Sequence, residues 1–366
     1  MSELKGAGVN GQSGGPTSVI NSSVLGALEA ALDNPSITRV FGMAHGIKGL
    51  LNDDLYDIDK EDRDELALLR YTPSSALGSC RYKLADPDVD DTDYKRILEV
   101  FKKHDVRYFF YNGGNDSMDT CNKISKYMQK VGYECRVMGV PKTIDNDLWG
   151  TELTFGFQSA IDIASTVIDS IHSTAFSHSR VFIVEVMGHK AGWLTLYAGI
   201  ASGADVIVIP EIPYSAKKIA AAIEKRAKAG KRFSIIAVAE GAISQDEAKL
   251  SKKEFKAARE VMTYPSISYR IADELKELTG QEIRVTIPGH YQRGGAPCPA
   301  DRVLTSRFGV AAAQLILQKK FGYMVALQDN HIVPVPLTEV AGKLKTVPPD
   351  GELVKQARAL GLSMGD

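Results

Sequence analysis

Two aspartates stand two residues apart beside a lysine and a threonine in the segment PKTIDND. The segment contains Lys142, Thr143, Asp145 and Asp147. Phosphoryl transfer needs a base for the hydroxyl proton, Mg²⁺ to neutralise phosphate charge, and cations on the transferring group. One carboxylate acting as base and the other directed at the metal would supply two of these functions. The alternative is an acidic surface turn without a catalytic role.

Two glycine-rich turns could bring backbone N–H groups close to phosphate oxygens. The turn GGPT contains Gly14 and Gly15 and precedes a predicted helix, while the turn GGNDS contains Gly114, Asn115 and Asp116. Glycine lets the backbone approach an anion closely, and the N–H groups at a helix start favour negative charge. The first turn alone is equally compatible with a simple helix start. The carboxylate of Asp116 is either a helix N-cap or a group that selects which phosphates enter.

The elements that must position these turns follow from short apolar runs that alternate with helical segments. Predicted strands are 106–111, 135–140, 180–186, 204–209, 233–239 and 283–287. Predicted helices are 17–32, 118–128, 159–176 and 215–228. The alternation predicts an α/β fold with a mostly parallel sheet whose strands are buried on both faces. Ligands bind beyond the carboxyl ends of such strands, where the turns GGNDS, PKTIDND, MGHKAG, EGA and PGHYQRGG lie.

The first predicted strand, over residues 5–10, is the weakest of the set. Its sequence KGAGVN contains Gly6 and Gly8, which lower strand propensity. Either this strand depends on its neighbours for stability, or its end is poorly ordered.

Length and composition limit the class of protein. The chain has 366 residues, which favours two domains, and 44 Lys and Arg against 45 Asp and Glu give a formal net charge of −1. This balance argues against a nucleic-acid partner or an anionic-membrane surface, because both need a basic excess. The four cysteines form no CxxC pair and no apolar run is long enough to span a membrane. A cytoplasmic protein without disulfides is expected.

The segments GGPT, GGNDS, PKTIDND, EVMGHKAG and GHYQRGGAPCPADRVLTSRFG resemble, in this order, the signature segments of the phosphofructokinase family. The resemblance spans residues 11–309. It implies two Rossmann-like three-layer α/β/α domains with mostly parallel sheets and the active site in the cleft between them. The implied boundaries are 1–156 plus about 292–342 for the donor and metal domain, 157–291 for the sugar-phosphate domain, and 343–366 for a C-terminal tail.

The resemblance also implies roles for individual residues. Asp145 matches the base that accepts the proton of the sugar-phosphate 1-hydroxyl, and Asp147 matches the carboxylate that orders Mg²⁺ and its waters. Asn115 stands where the family usually has a metal-associated aspartate. Positions matching the donor-phosphate site are Gly14, Gly15, Arg81 and Gly114. Positions matching the acceptor site are Thr143, Asp145, Met187, Gly188, His189, Glu240, His290 and Arg293, together with Arg180 and Arg284.

Three of these matches, Arg180, Arg284 and His189, carry further expectations. In the family, arginines at the positions of Arg180 and Arg284 reach the acceptor's 6-phosphate from a neighbouring subunit, which implies a homodimer or homotetramer with shared sites. His189 and Lys190 replace the arginine usual after Met-Gly. A guanidinium fork and an imidazole hold a phosphate differently, so acceptor binding at this turn is expected to differ.

The choice of phosphoryl donor is expected to depend on Asp116 and Lys142. ATP-using members of the family resemble GGDGS at the second turn and have glycine at the position of Lys142, whereas pyrophosphate-using members carry Asp and Lys there. The expected reaction is Mg²⁺-dependent and reversible phosphoryl transfer from pyrophosphate to the 1-hydroxyl of fructose 6-phosphate. The alternatives are an ATP-dependent 6-phosphofructokinase and a non-catalytic regulatory subunit of such an enzyme.

Overall fold

The computed structural model describes residues 4–319 and 321–366. Its strands, in chain order, are β1 (Gly6–Gln12), β2 (Ile37–Met43), β3 (Leu55–Asp57), β4 (Val106–Gly113), β5 (Arg136–Thr143), β6 (Phe155–Gly156), β7 (Val181–Val186), β8 (Val206–Val208), β9 (Ser234–Ala239), β10 (Ile283–Thr286), β11 (Tyr323–Gln328) and β12 (His331–Pro336). Its helices are α1 (Ile20–Leu32), α2 (Ile47–Asn52), α3 (Arg63–Ala67), α4 (Thr92–His104), α5 (Asn115–Lys130), α6 (Phe157–His178), α7 (Trp193–Ala201), α8 (Ala216–Lys228), α9 (Lys252–Glu260), α10 (Ile267–Thr279), α11 (Pro299–Leu317), α12 (Leu337–Val340) and α13 (Glu352–Ala359).

The described chain divides into two compact units, each built on its own sheet. The first unit consists of the described parts of 1–144, 148–158 and 293–345, and the second consists of 145–147, 159–292 and 346–366. In the first unit the strand order is β12-β11-β5-β4-β1-β2-β3, with β6 paired to β5. The strands run parallel except in the pairs β11–β12 and β2–β3.

The sheet of the first unit is buried on both faces, as β4 shows. Phe109 and Tyr111 belong to one hydrophobic cluster, to which α4 and α5 contribute. Tyr108 and Phe110 belong to a second cluster, to which α1 and α11 contribute. Alternate residues of a strand point to opposite faces, so this distribution places helices on both sides of the sheet. The first unit therefore has the predicted three-layer α/β/α architecture.

Strand β1 depends on its neighbours. All seven of its residues are buried, and it pairs in parallel with both β2 and β4. The two glycines of its first half lower its propensity, and the paired neighbours on both sides compensate. Of the two sequence-based alternatives for this strand, stabilisation by its neighbours is correct.

The second unit has a parallel four-stranded sheet in the order β10-β7-β9-β8. One face packs against α8 and α10 through a cluster that includes Ile183, Ile236 and Ile219. The C-terminal segment runs beside β8: Ile207 N donates to the Ser363 carbonyl (2.8 Å). Nowhere in residues 4–319 and 321–366 is a helix long and apolar enough to cross a membrane.

The ends of the predicted strands differ from the observed ones by at most two residues, except at the carboxyl end of β5. β4 and β5 continue two and three residues further than predicted, so Lys142 and Thr143 belong to a strand. Helix α5 begins at Asn115 rather than at residue 118. The predicted fold class, α/β with mostly parallel sheets in two units, is confirmed.

Candidate active site

The first glycine turn is held by the segment that contains Arg81. Gly14 has a left-handed backbone (φ 75°), and its N–H donates to the Cys80 carbonyl (3.1 Å). The Ser79 hydroxyl donates to the Gly14 carbonyl (2.6 Å). Arg81 follows directly and is exposed. These bonds bring the predicted donor residues of two distant chain segments to one place.

Two basic side chains lie against the same turn. Lys142 is only 4% exposed, and its Nζ donates to the Gly15 carbonyl (2.7 Å). A Cβ added to Gly15 would lie 2.7 Å from the guanidinium carbon of Arg293. Arg293 is expected from the sequence to bind the acceptor's 6-phosphate, and within the first unit its side chain lies beside the donor turn instead. Two positive charges at a glycine turn favour binding of an anion there.

Helix α1 does not begin directly after the glycine turn. Its first residue is Ile20, and Val19 is its N-cap. The N–H groups of Gly14 and Gly15 therefore precede the helix and are not part of its N-terminus, so the prediction that this turn opens directly into the helix is wrong. The basic side chains of Lys142 and Arg293 are the positive groups at this turn.

The second glycine turn leads straight into α5. Gly114 is the N-cap, and Asn115 and Asp116 occupy the first turn of the helix. The N-cap alternative for Asp116 is therefore wrong. Its carboxylate is 77% exposed and forms an ion pair with Lys83 (3.4 Å). A carboxylate in the first turn of a helix is favoured by the helix dipole, so the position tolerates this charge.

The two aspartates of PKTIDND differ in exposure. Thr143 ends β5, and its carbonyl accepts a hydrogen bond from the Thr154 hydroxyl (2.7 Å). Asn146 has a left-handed backbone (φ 51°), which asparagine adopts more readily than most residues. Asp147 is buried and Asp145 is half-buried. Asp145 is thus the more accessible carboxylate, as a group that contacts substrate must be.

In the second unit, the carboxylate of Glu240 holds the turn that contains Met187, Gly188 and His189. Glu240 follows β9, and its Oε1 accepts from the backbone N–H of Gly188 (3.3 Å) and of His189 (2.8 Å). His189 is exposed and has a left-handed backbone (φ 50°). A non-glycine residue in this region is uncommon and needs support from its surroundings. The predicted acceptor residues of these two segments are thus in direct contact.

Sequence reasoning missed two residues that bond the loop between β7 and α7, one at Met187 and one at Gly192. Gln292 Oε1 accepts from Met187 N–H (3.2 Å). Glu211 accepts from Gly192 N–H (2.9 Å) and from Val347 N–H (2.8 Å). Burial raises the pKa of the Glu211 carboxyl, while the two N–H donors act in the opposite direction. Gln292 lies inside the motif QRGG, and Glu211 is an acidic residue shortly after a buried strand, so both carried a signal in the sequence.

Arg180 and Arg284 are not brought to this turn within the second unit. Arg180 precedes β7, whereas Met187 follows it, and a strand of six residues spans about 20 Å. Arg180 Nε donates to Glu282 Oε2 (2.6 Å), and Arg284 pairs with the other oxygen of the same carboxylate. His290 is exposed in the 3₁₀ turn Gly289–Arg293.

Comparison with known proteins identifies the chain's relatives. Residues 9–316 match the family model described as Phosphofructokinase. The chain belongs to the phosphofructokinase family. By sequence it is therefore a phosphofructokinase, a kinase, and the predicted family is confirmed.

Relatives of this phosphofructokinase differ in the donor that their names give. A protein from Spirochaeta thermophila, 44% identical over 97% of this chain and 96% of its own length, is named ATP-dependent 6-phosphofructokinase. One from Amycolatopsis methanolica, 38% identical over 85% of this chain and 88% of its own, is named pyrophosphate–fructose 6-phosphate 1-phosphotransferase. A solved pyrophosphate-dependent phosphofructokinase from Nitrosospira multiformis superposes with a TM-score of 0.84 at 30% identity, covering 98% of this chain and 92% of that one.

Proposed function

We propose that this phosphofructokinase transfers a phosphoryl group from pyrophosphate to fructose 6-phosphate, giving fructose 1,6-bisphosphate and phosphate. The observation that carries the choice of donor is the buried Lys142, whose Nζ donates to the Gly15 carbonyl at 2.7 Å. An ammonium fixed beside a glycine turn attracts a small, highly charged anion.

Asp116 supports the same donor. Like charges about 4 Å apart repel by roughly 4 kcal/mol at an effective dielectric of about 20. The Asp116 side chain is 77% exposed, so solvent screens part of this repulsion. A nucleotide has an α-phosphate that must pass a carboxylate at this turn, whereas pyrophosphate has no third phosphate. Asp116 thus disfavours the larger donor.

ATP is the second candidate donor. The Spirochaeta thermophila relative, 44% identical to this chain, has a name that specifies ATP. The pyrophosphate-named protein from Amycolatopsis methanolica is 38% identical. Overall identity averages over the whole chain, whereas donor choice depends on the few groups that contact the phosphates. We therefore give Asp116 and Lys142 more weight than overall identity.

The remaining roles follow the same proposal. Asp145 accepts the proton of the 1-hydroxyl, whose oxygen forms a bond to phosphorus while the bridging P–O bond of pyrophosphate breaks. Glu240 and the turn at His189 hold the sugar phosphate. Lys142 stabilises the charge that develops on the transferring group.

The residues present fit Mg²⁺ bound together with phosphate. No cluster of three or more His, Cys, Asp or Glu side chains able to hold a metal occurs in the part of the chain that the structure describes. Mg²⁺ commonly binds one or two carboxylates and takes its other ligands from water and substrate phosphates. Asp147 would hold it in this way. When bound, Mg²⁺ neutralises charge on the phosphates.

The test is the initial rate with fructose 6-phosphate and Mg²⁺, with pyrophosphate and ATP offered in parallel. Activity with pyrophosphate alone supports the proposal. Activity with ATP alone keeps the family and overturns the donor assignment. Binding of fructose 6-phosphate without turnover of either donor, over a range of Mg²⁺ concentrations, identifies a regulatory subunit.

A further inference from the structure

The turn at residues 187–189 is held through its backbone by side chains. Strand β7 ends at Val186, and the next three N–H groups all donate to side-chain oxygens. Glu240 takes two of these bonds, and Gln292 takes the bond from Met187 N–H. The conformation of the turn therefore depends on the positions of these two side chains.

Gln292 connects this turn to a second one. Its Oε1 accepts from Met187 N–H (3.2 Å), and its Nε2 donates to the Gly289 carbonyl (3.1 Å). The side chain is 1% exposed. Glutamine is a neutral residue that offers an acceptor and a donor on one planar group, so a single amide bridges an N–H and a carbonyl without burying a charge.

The two turns that Gln292 joins carry separate parts of the proposed acceptor site. Met187, Gly188 and His189 are on one turn, and His290 is on the other, directly before Tyr291 and Gln292. Both His189 and His290 are exposed, while Gln292, which belongs to the second turn, is buried. The bond from Met187 N–H joins the two turns, and the bond to the Gly289 carbonyl fixes the Gln292 amide within its own turn. Gln292 thus sets the separation of side chains that face solvent.

We propose that Gln292 is a positioning residue for the acceptor: it fixes the spacing between the Met187 turn and the His290 turn, so that both contact one sugar phosphate. This inference rests on the proposed binding of fructose 6-phosphate and is independent of the donor. Gln292 does not touch the substrate. Loss of the Gln292 side chain weakens substrate binding by the residues that do touch the substrate. A pre-organised site loses less entropy on binding than one whose turns are free to move.

The decisive variants are Gln292→Met and Gln292→Glu. Methionine fills similar volume but makes neither hydrogen bond, so we expect the KM for fructose 6-phosphate to rise about tenfold or more, as loss of two buried bonds predicts. The KM for the phosphoryl donor should stay within about twofold, because both hydrogen bonds of the Gln292 side chain are made within the second unit, whereas the Gly14 turn and Arg293 beside it belong to the first.

Gln292→Glu distinguishes positioning from simple packing. An ionised glutamate accepts from Met187 N–H but has no donor for the Gly289 carbonyl, whereas a protonated glutamate has both. The acceptor KM of this variant, relative to wild type at the same pH, should therefore fall as the pH is lowered. The acceptor KM of Gln292→Met, relative to wild type at the same pH, should not change with pH. A side chain that only fills space would give no such difference.

Ser234→Ala is the matched control. Ser234 is a buried polar residue at the start of β9 in the same unit, and its hydroxyl accepts from Arg226 Nε (3.2 Å). Its loss should lower the thermal unfolding temperature and leave both KM values unchanged. An acceptor KM within twofold of wild type for Gln292→Met, or equal changes in both KM values, would overturn the inference.

The donor assignment and this inference can fail separately. All kinetics are measured on the full chain with whichever donor the wild type uses. If neither donor is turned over, calorimetric binding of fructose 6-phosphate to wild type and to both Gln292 variants replaces the KM. If the wild type binds fructose 6-phosphate and Gln292→Met binds it more weakly, the positioning role is supported even though the proposed activity is absent. Absence of fructose 6-phosphate binding to wild type overturns both.

Discussion

The ammonium of Lys142 is fixed by the protein. It lies inside β5, is 4% exposed, and donates to the Gly15 carbonyl. A flexible surface lysine would lose side-chain entropy on meeting a phosphate, whereas a buried one has already lost it. Donor affinity should therefore depend on this residue more strongly than on an exposed lysine of equal charge.

Replacing Asp116 and Lys142 together should weaken use of pyrophosphate. We expect Asp116→Gly with Lys142→Gly to lower kcat/KM for pyrophosphate by roughly 100-fold, since a fixed charge on the transferring group is lost. ATP activity need not appear, because adenine also needs a pocket. Steady-state rates with each donor give kcat/KM for pyrophosphate and for ATP.

The control for the donor variant is Asp119→Asn with Lys123→Ala. These residues form an ion pair within α5 (2.7 Å), so the control removes one charge of each sign from the same helix. Its pyrophosphate kinetics should match wild type. Unchanged pyrophosphate kinetics in the double glycine variant would contradict the donor argument.

Asp145→Ala should abolish turnover and spare acceptor binding. The substitution removes a base and leaves the phosphate-binding groups in place, so kcat should fall by roughly 100- to 10,000-fold while the dissociation constant for fructose 6-phosphate changes little. Initial rates and calorimetry measure the two quantities. Asp169→Ala, at an exposed position of α6, is the control. A kcat within about tenfold of wild type would be too small a loss for a general base.

At the scale of elements, α1 and α11 pack through glycines. A Cβ on Gly309 would lie 3.0 Å from the carbonyl carbon of Ser23 and closer still to its oxygen. A Cβ on Gly26 would lie 2.9 Å from the Val310 nitrogen. Each glycine therefore faces backbone atoms of the other helix, and no adjustment of a flexible side chain can make room for a Cβ.

Gly309→Ala should destabilise the protein, although alanine normally stabilises a helix relative to glycine by about 1 kcal/mol. Overpacking typically costs about 1–3 kcal/mol, which exceeds that gain. A lower thermal unfolding temperature is expected. Ser306→Ala tests alanine in the same helix at a half-buried position and should have a smaller effect. An unfolding temperature raised by Gly309→Ala would show that the helices separate at little cost.

The sequence pattern predicted strands and helices well where a run of apolar residues or a helical periodicity was enough to determine the secondary structure. The runs at 106–111 and 233–239 became strands at those places because their side chains fill the cores on both faces. Strand β1 and the Gly309 contact depend on residues far away in sequence, so composition alone says little about either. The start of α1 at Ile20 rather than next to Gly15 depends likewise on tertiary contacts.

The candidate site was predictable as a set of residues and less so as a set of contacts. Motifs pointed to Lys142, Glu240 and Asp145. They gave no sign that Glu240 binds the backbone of the His189 turn or that Arg293 lies against Gly15. Such contacts depend on side-chain conformations that a linear pattern does not encode. Roles that rest on motif matches alone stay predictions.

At the scale of the whole molecule, Arg180 and Arg284 lie away from the Met187 turn of their own chain. Both contact Glu282, which lies near the start of β7, whereas the Met187 turn follows the other end of that strand. Arg284 remains 54% exposed and Arg180 29% exposed. Exposed ion pairs contribute little to stability, so folding does not explain their presence well. We propose that they bind the 6-phosphate of an acceptor held by a neighbouring copy of the chain, as part of a homodimer or homotetramer.

Shared sites predict complementation between two inactive variants. In a mixed dimer of Asp145→Ala and Arg284→Ala chains, one site contains both substitutions and the other contains neither. Random mixing of equal amounts should therefore restore about a quarter of wild-type activity, assayed below the acceptor KM. Arg232→Ala, at an exposed position of the same unit, should be active by itself. If each subunit instead built its site from its own Arg284, every site in the mixture would carry one of the two substitutions, and the mixed sample would be no more active than the average of its parents.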